Sequence, residues 1–297
     1  MASTACSPLT ICCSRMTERI TRCRPLLGTF VEVTCGSVQA ADAAFDAIAR
    51  VHALMSAHDP DSELSRINRF AHQRPIAVHP WTTAVLVRAL FWARASKGAF
   101  DPVRAGKHAL SKGLLPHHEG IQPGGDGRWD DIVLGDRTVW LRRPACIDLG
   151  GIAKGFAVDR AIAAMRTSGA TYGLVNAGGD IAVFGLEPWD VQIAEPRSRV
   201  AMLSVPIRNE ALATSALQPS SSGGLSADHL IGTDSRWTSA TVVAPSAMDA
   251  DALAKIVLSG SRETAHCLAS GRARALVIDS TGAVHEVDRS TALAEAA

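Results

Sequence analysis

The stretch IDLGGIAKG at 147–155 brings an acid, two glycines and a lysine close together. A hydrophobic strand end would deliver Asp148, and Gly150-Gly151 lets the backbone turn tightly or approach a ligand. A helix opening near Ala153 would offer free amides to phosphate or another anion, with Lys154 adding a mobile positive charge. A plain structural turn with a surface lysine fits the same letters. The stretch matches neither GxxxxGK[ST] nor GxGxxG, which excludes a Walker loop and a dinucleotide fingerprint. In VNAGGD at 175–180, Asn176 and Asp180 flank small residues after a buried strand, where they could orient a ligand or simply close the turn. In MDADALAK at 248–255, Asp249 and Asp251 fall at or near a helix start, where carboxylates cap open amides. Acids two apart do not share a helical face, so only one of them would point at a metal. His229 stands beside a Ser/Gly-rich run, 217–227. Oxygen donors of this kind suit Mg²⁺, and clustered soft ligands for zinc are lacking.

The surrounding pattern mixes short alternating runs with longer helical ones. Apolar residues at helical spacing predict helices over 40–56, 81–96, 154–166 and 250–258, with a shorter one over 62–69. Strands are expected over 28–35, 131–134, 138–141, 173–183 (broken at Gly178-Gly179), 189–194, 201–205, 211–214, 241–244, 273–278 and 284–286. Residues 103–128 have little periodicity and read as a long irregular loop. Strands adjoin strands more often than they alternate with crossover helices, so the fold class is α+β, antiparallel sheets with packed helices, and not a doubly wound sheet.

With 297 residues and 47% hydrophobic content the chain can bury a large core, which excludes bulk disorder. Thirty basic residues against 29 acidic leave a net charge of +1 and no basic tract, so nucleic acid is not an expected partner. No run of 18 apolar residues appears, so no transmembrane segment is expected. The seven cysteines form neither a disulfide framework nor a CxxC metal box, and reduced thiols favour the cytoplasm. Residues 1–20 read as a flexible N-terminal segment without a signal peptide or a lipidation site, and 21–297 as a single domain.

These segments, together with RPLLGTF at 24–30, MSAHDPDSELS at 55–65, GAFDP at 98–102, ATS at 213–215 and HLI at 229–231, resemble in order the signature blocks of the ApbE family. The match runs over residues 22–260, and IDLGGIAKG and NAGGD are individually specific. The resemblance implies an ApbE-like (T-fold-like) architecture with an FAD cleft between two lobes. It implies Mg²⁺-dependent transfer of the FMN moiety of FAD to a Thr or Ser hydroxyl of a partner flavoprotein, releasing AMP. Cleavage of FAD to FMN and AMP by water, or FAD binding without catalysis, are the alternatives. FAD contacts would fall on Leu27, His58, Phe100, Asp101, Pro102, Asp148, Lys154, Asn176, Asp180 and Ile231. The metal would take the carbonyl of Gly151, the side chain of Asp251 and position 255. Lys154 would draw charge from the pyrophosphate, and His229 would accept the hydroxyl proton. Position 255 departs from the family: it is commonly Thr and is Lys255 here. A protonated lysine cannot ligate Mg²⁺, so Lys255 either points away or replaces part of the metal's charge.

Overall fold

The computed structural model describes residues 19–115, 127–195, 200–219, 225–226 and 236–287. The chain opens with a hairpin of β1 (Ile20–Leu26) and β2 (Thr29–Cys35). Its two-residue turn has φ of 57° at Leu27 and 71° at Gly28, the left-handed pair that suits the twist of a tight hairpin. Then come α1 (Val38–Met55), α2 (Glu63–Phe70), β3 (Ile76–Ala77), α3 (Pro80–Ala95) and α4 (Pro102–Ser111). A second hairpin, β4 (Ile132–Gly135) and β5 (Thr138–Leu141), precedes α5 (Ala153–Thr167), β6 (Gly173–Ala177) and β7 (Asp180–Phe184). After β8 (Trp189–Ala194), β9 (Ala201–Ile207) and β10 (Ala211–Ala216) come two short strands, β11 (Gln218–Pro219) and β12 (Leu225–Ser226). The chain continues through β13 (Trp237–Ala244), α6 (Ala247–Leu258), α7 (Thr264–Gly271), β14 (Arg274–Asp279) and β15 (Val284–Val287).

Eight strands form one sheet in the order β1-β2-β6-β7-β10-β13-β14-β15, and every neighbouring pair is antiparallel. The α+β expectation therefore holds. One face is covered by α1, α5 and α6, which pack on one another in that order. Ala44, Ile48, Val51 and Met55 of α1 recur at helical spacing and are all buried there. The hairpin of β8 and β9 lies over part of the other face, where Ile181, Val183, Leu212 and Val243 meet Val191, Ile193, Val205 and Ile207. β7 is thus buried on both sides, and its DIAVF sequence runs apolar after Asp180 without alternation.

The irregular loop expected over 103–128 is corrected in its first part, because 102–111 is α4. Asp101 caps it by accepting from the Val103 and Arg104 amides, and Pro102 occupies the first turn. Gly106 disguises the helix: a Cβ there would lie 2.2 Å from the Cys146 carbonyl oxygen. Residues 116–126 and 1–18 lie outside the described residues, and the segment read as flexible gives way to β1 at Ile20. The expected helices and hairpins otherwise appear; α7, β1 and the two-residue strands β3, β11 and β12 were not anticipated. Among the described residues no helix is long and apolar enough to cross a membrane.

Candidate active site

The entrance of α6 decides which of its two acids faces the site. Ser246 accepts from the Asp249 amide at 3.2 Å, and Asp159 of α5 accepts from the amides of Ala247 and Met248 at 2.8 and 2.9 Å. The cap is therefore Ser246 with Asp159, and the capping role considered for Asp249 and Asp251 is overturned. Asp249 turns toward α3, accepting from Arg88 at 2.5 and 2.9 Å and from the Trp92 indole at 2.9 Å. Asp251, two residues on, points the other way and is fully buried. Its Oδ1 lies 2.5 Å from Lys255 Nζ and 4.0 Å from Lys154 Nζ, and its Oδ2 accepts from the Gly155 amide at 3.2 Å. An α5 amide is thus already satisfied by a carboxylate of the protein. The helix mouth is less open to an outside anion than the sequence suggested.

That contact requires the two helices to touch backbone to backbone. A Cβ on Gly155 would sit 2.1 Å from the Ala247 carbonyl oxygen. Lys154 is not the mobile surface charge expected of it. Its ammonium pairs with Asp180, which is 2% exposed at the start of β7. Asn176 accepts from the Gly179 amide at 3.0 Å and closes the turn between β6 and β7, aiming Asp180 at the lysine. Burial opposes the Lys154 charge, but Asp251 and Asp180 outweigh it and raise the pKa of the ammonium. Burial likewise pushes the Asp251 carboxyl upward, and the two lysines and the Gly155 amide overcome it, so Asp251 stays below the ordinary carboxylate range. Asp180 is raised, by burial first and then by the negative charge of Asp251. Two carboxylates and two ammonium groups form a compact, neutral cluster.

The cluster stands between two cavities. One, of about 410 Å³, is lined by Phe100, Asp101 and Pro102, by Gly151, and by Lys154 and Lys255. The other, of about 500 Å³, is lined by Leu27, Met55, His58 and Ala153. Asp148, Gly150 and Lys154 belong to both, so the cavities meet at the strand–Gly-Gly–helix junction. The Asp148 amide donates to the Pro102 carbonyl at 2.9 Å, and Asp148 Oδ1 accepts from the Gly150 amide at 2.8 Å. Burial pushes the Asp148 carboxyl up, against the Gly150 amide and the charges of His58, Lys255 and Lys154. Leu27 reaches the second cavity from a left-handed backbone conformation that a branched residue adopts at a cost of about 1 kcal/mol or more.

Most sequence-selected residues therefore gather at one place: Leu27, His58, Phe100, Asp101, Pro102, Asp148, Gly151, Lys154, Asp180, Asp251 and Lys255. Asn176 supports the turn behind them. His229 and Ile231 lie outside the described residues. Lys255 points into the cluster. Ser215, not among the residues selected from the sequence, lines the first cavity and stands 3.2 Å from Lys255 Nζ. Its signal was present in the ATS block at 213–215. Among the described residues no group of three or more His, Cys, Asp or Glu side chains is arranged to hold a metal ion.

A sequence profile described as the ApbE family matches residues 27–277. The chain is 31% identical over 155 residues to an FAD:protein FMN transferase of Treponema pallidum, covering 48% of this chain and 43% of that protein. It is 30% identical over 212 residues to an FAD:protein FMN transferase of Rhodobacter capsulatus, covering 64% and 40%. The matches thus span less than half the length of these relatives. The fold is similar to that of the flavin transferase ApbE of Vibrio cholerae, with a TM-score of 0.76, 23% identity, and 91% of this chain and 96% of that one covered. The ApbE protein of Thermotoga maritima gives 0.76 at 24% identity, with 93% and 99% covered.

Proposed function

Because this chain belongs to the ApbE family, we propose that it is an enzyme that transfers the FMN half of FAD to a threonine or serine hydroxyl of a partner flavoprotein, releasing AMP. The observation that carries this reading is the pair of cavities, about 410 and 500 Å³, meeting at Asp148, Gly150 and Lys154. A dinucleotide has that form: two ring systems joined by a charged diphosphate. Each cavity is of the size ordinary ligand pockets have; the Lys154 ammonium lines the junction, and that of Lys255 lines the first cavity.

In the reaction the acceptor oxygen attacks the FMN-side phosphorus, the bridging P–O bond breaks, and AMP leaves with the bridging oxygen. The hydroxyl proton passes to a base, for which His229 is the proposed group. Negative charge grows on the departing phosphate. Lys154, held charged by Asp180 and Asp251, faces that charge from a fixed position with little reorganisation to perform. Leu27, His58, Phe100, Asp101 and Pro102 shape the walls that hold the rings, and Asp148 with Gly150 sets the backbone at the junction. Residues 21–297 are read as one domain with the cleft between two lobes, supported by a core that joins Val31 of β2 to Val287 of β15. A cytoplasmic setting is part of this proposal and rests on the cysteine pattern of the sequence.

The Mg²⁺ that the resemblance implies does not fit the residues present. Gly151, Asp251 and position 255 were its expected holders, and the one carboxylate among them is already shared. Lys255 Nζ sits 2.5 Å from Oδ1, and the Gly155 amide donates to Oδ2. The ammonium of Lys255 thus holds the oxygen that a cation would take, and Lys154 stands 4.0 Å from the same oxygen, so a dication there would meet two positive charges.

The test is incubation with FAD and a candidate acceptor domain, followed by mass spectrometry for a covalent FMN adduct and chromatography for AMP. Adduct and AMP in equal amounts support transfer. FMN and AMP without adduct point to water as the attacking group, and neither product refutes the reading.

A further inference from the structure

Lys255 is held as a coordinated cation would be. Its ammonium lies 2.5 Å from Asp251 Oδ1, 3.2 Å from the Asp251 carbonyl oxygen and 3.2 Å from Ser215 Oγ. Carboxylate, carbonyl and hydroxyl are the hard oxygen donors that Mg²⁺ or Ca²⁺ selects. Here three N–H donors occupy them instead. The stem of the side chain is fixed as well: a Cβ on Gly151 would lie 2.9 Å from Lys255 Cδ and 3.2 Å from Cε, so the glycine backbone runs directly against the methylenes. The side chain is 24% exposed, and the opening gives onto the first cavity. Lys154 lines the same cavity, its ammonium 4.0 Å from the same Asp251 oxygen.

We infer that Lys255 is a tethered replacement for a divalent cation, so that the protein binds a diphosphate and acts on it without a bound metal ion. This rests on the proposed reading that FAD is the substrate. A phosphate oxygen arriving in the first cavity displaces the Ser215 hydroxyl from Nζ, while Asp251 keeps the ammonium in place. Two lysines then face the diphosphate, and a metal, which would crowd both, is not required.

Two measurements test the inference. Flavin fluorescence follows FAD binding to the full chain in EDTA and in millimolar MgCl₂, and calorimetry follows Mg²⁺ added to the ligand-free protein. Wild type is expected to bind FAD equally in both buffers, within twofold, and to take up no Mg²⁺. Lys255→Thr is expected to lose at least tenfold in FAD affinity in EDTA, to recover most of it in MgCl₂, and to take up Mg²⁺. Lys255→Arg keeps the charge and serves if the threonine variant fails to fold: it should remain indifferent to Mg²⁺. Wild-type FAD binding that improves tenfold or more with Mg²⁺ overturns the inference and leaves the FAD reading standing. Failure to bind FAD in either buffer overturns both.

Discussion

Removing the charge of Asp251 tests whether the neutral cluster holds the apo protein together. Asp251 is fully buried, with Lys255 Nζ at 2.5 Å and Lys154 Nζ at 4.0 Å. In Asp251→Asn the lysines lose their shared counter-charge, although Lys154 keeps Asp180 and Lys255 keeps the Ser215 hydroxyl. Breaking a buried ion pair from one side costs about 3–5 kcal/mol, so about 4 is expected here. The Lys255 side chain is 24% exposed, and solvent screens part of its loss. Lys255→Met, which leaves Asp251 with Lys154 and the Gly155 amide, should therefore cost less, about 2 kcal/mol. The double variant removes both charges of the pair and leaves Lys154 matched to Asp180. Its cost should be about 4 kcal/mol rather than the sum of about 6, a coupling of about 2. Urea unfolding in EDTA, with all four proteins compared at a common slope, reads this directly. Additivity within about 0.5 kcal/mol would mean that Asp251 and Lys255 do not feel each other and that the cluster is not an energetic unit.

Asp249→Ala should lower stability by about 2 kcal/mol, by stranding the Trp92 indole N–H and the partly buried Arg88, yet leave FAD affinity within twofold. A flavin titration and a melt on the same variant would expose an error in assigning the two acids of α6. Gly155→Ala should cost about 3 kcal/mol, since its Cβ meets a backbone oxygen at 2.1 Å that cannot rotate away; a loss under 1 kcal/mol in urea would contradict the close helix contact. Burial pushes the Asp159 carboxyl up to about 6, against the Met248 and Ala247 amides. Because the folded protein holds that proton more tightly than the unfolded chain, Asp159 contributes stability fully present below about pH 4 and lost as pH rises through about 6. The swing is at most about 3 kcal/mol. The stability difference between wild type and Asp159→Asn should fall across that window, and a flat difference from pH 4 to 7 would show that the carboxyl titrates normally.

The long helices were legible because their apolar residues repeat at a helical period and one face of each meets the sheet. The tight-turn dipeptide Gly135-Asp136 located the hairpin of β4 and β5. Alternation does not govern β7 and β10, which are covered on both faces, and β7 was placed by the turn at Gly178-Gly179. α4 was hidden because Gly106, the residue that weakens its helical signal, is the one that lets it touch Cys146. α7, TAHCLASG, is short and made largely of small residues that give little contrast between its faces. At the site, residue types and family blocks located the cluster, and helical periodicity separated Asp249 from Asp251. The pairing of Lys154 with Asp180 was out of reach, because it depends on how the turn at 178–179 aims β7 at α5. The capping expectation failed for a local reason: Ser246, just before the acids, takes the amide they were expected to cap.

The order of the large sheet, β1-β2-β6-β7-β10-β13-β14-β15, rises without interruption along the chain. During synthesis each new strand can therefore dock on the edge left by the one before it, and none has to be inserted between two already paired. A protein made from its N-terminus can build this sheet in the direction in which it leaves the ribosome. The reactive cluster follows a different clock. Lys154 and Asp180 emerge with the first half of the sheet, whereas Asp251 and Lys255 arrive with α6, after β13 has closed on β10. Until then Lys154 has Asp180 alone, and the first cavity lacks the wall that α6 supplies. The nascent chain thus passes most of its synthesis as a sheet with an unfinished site, and a single late helix closes the first cavity.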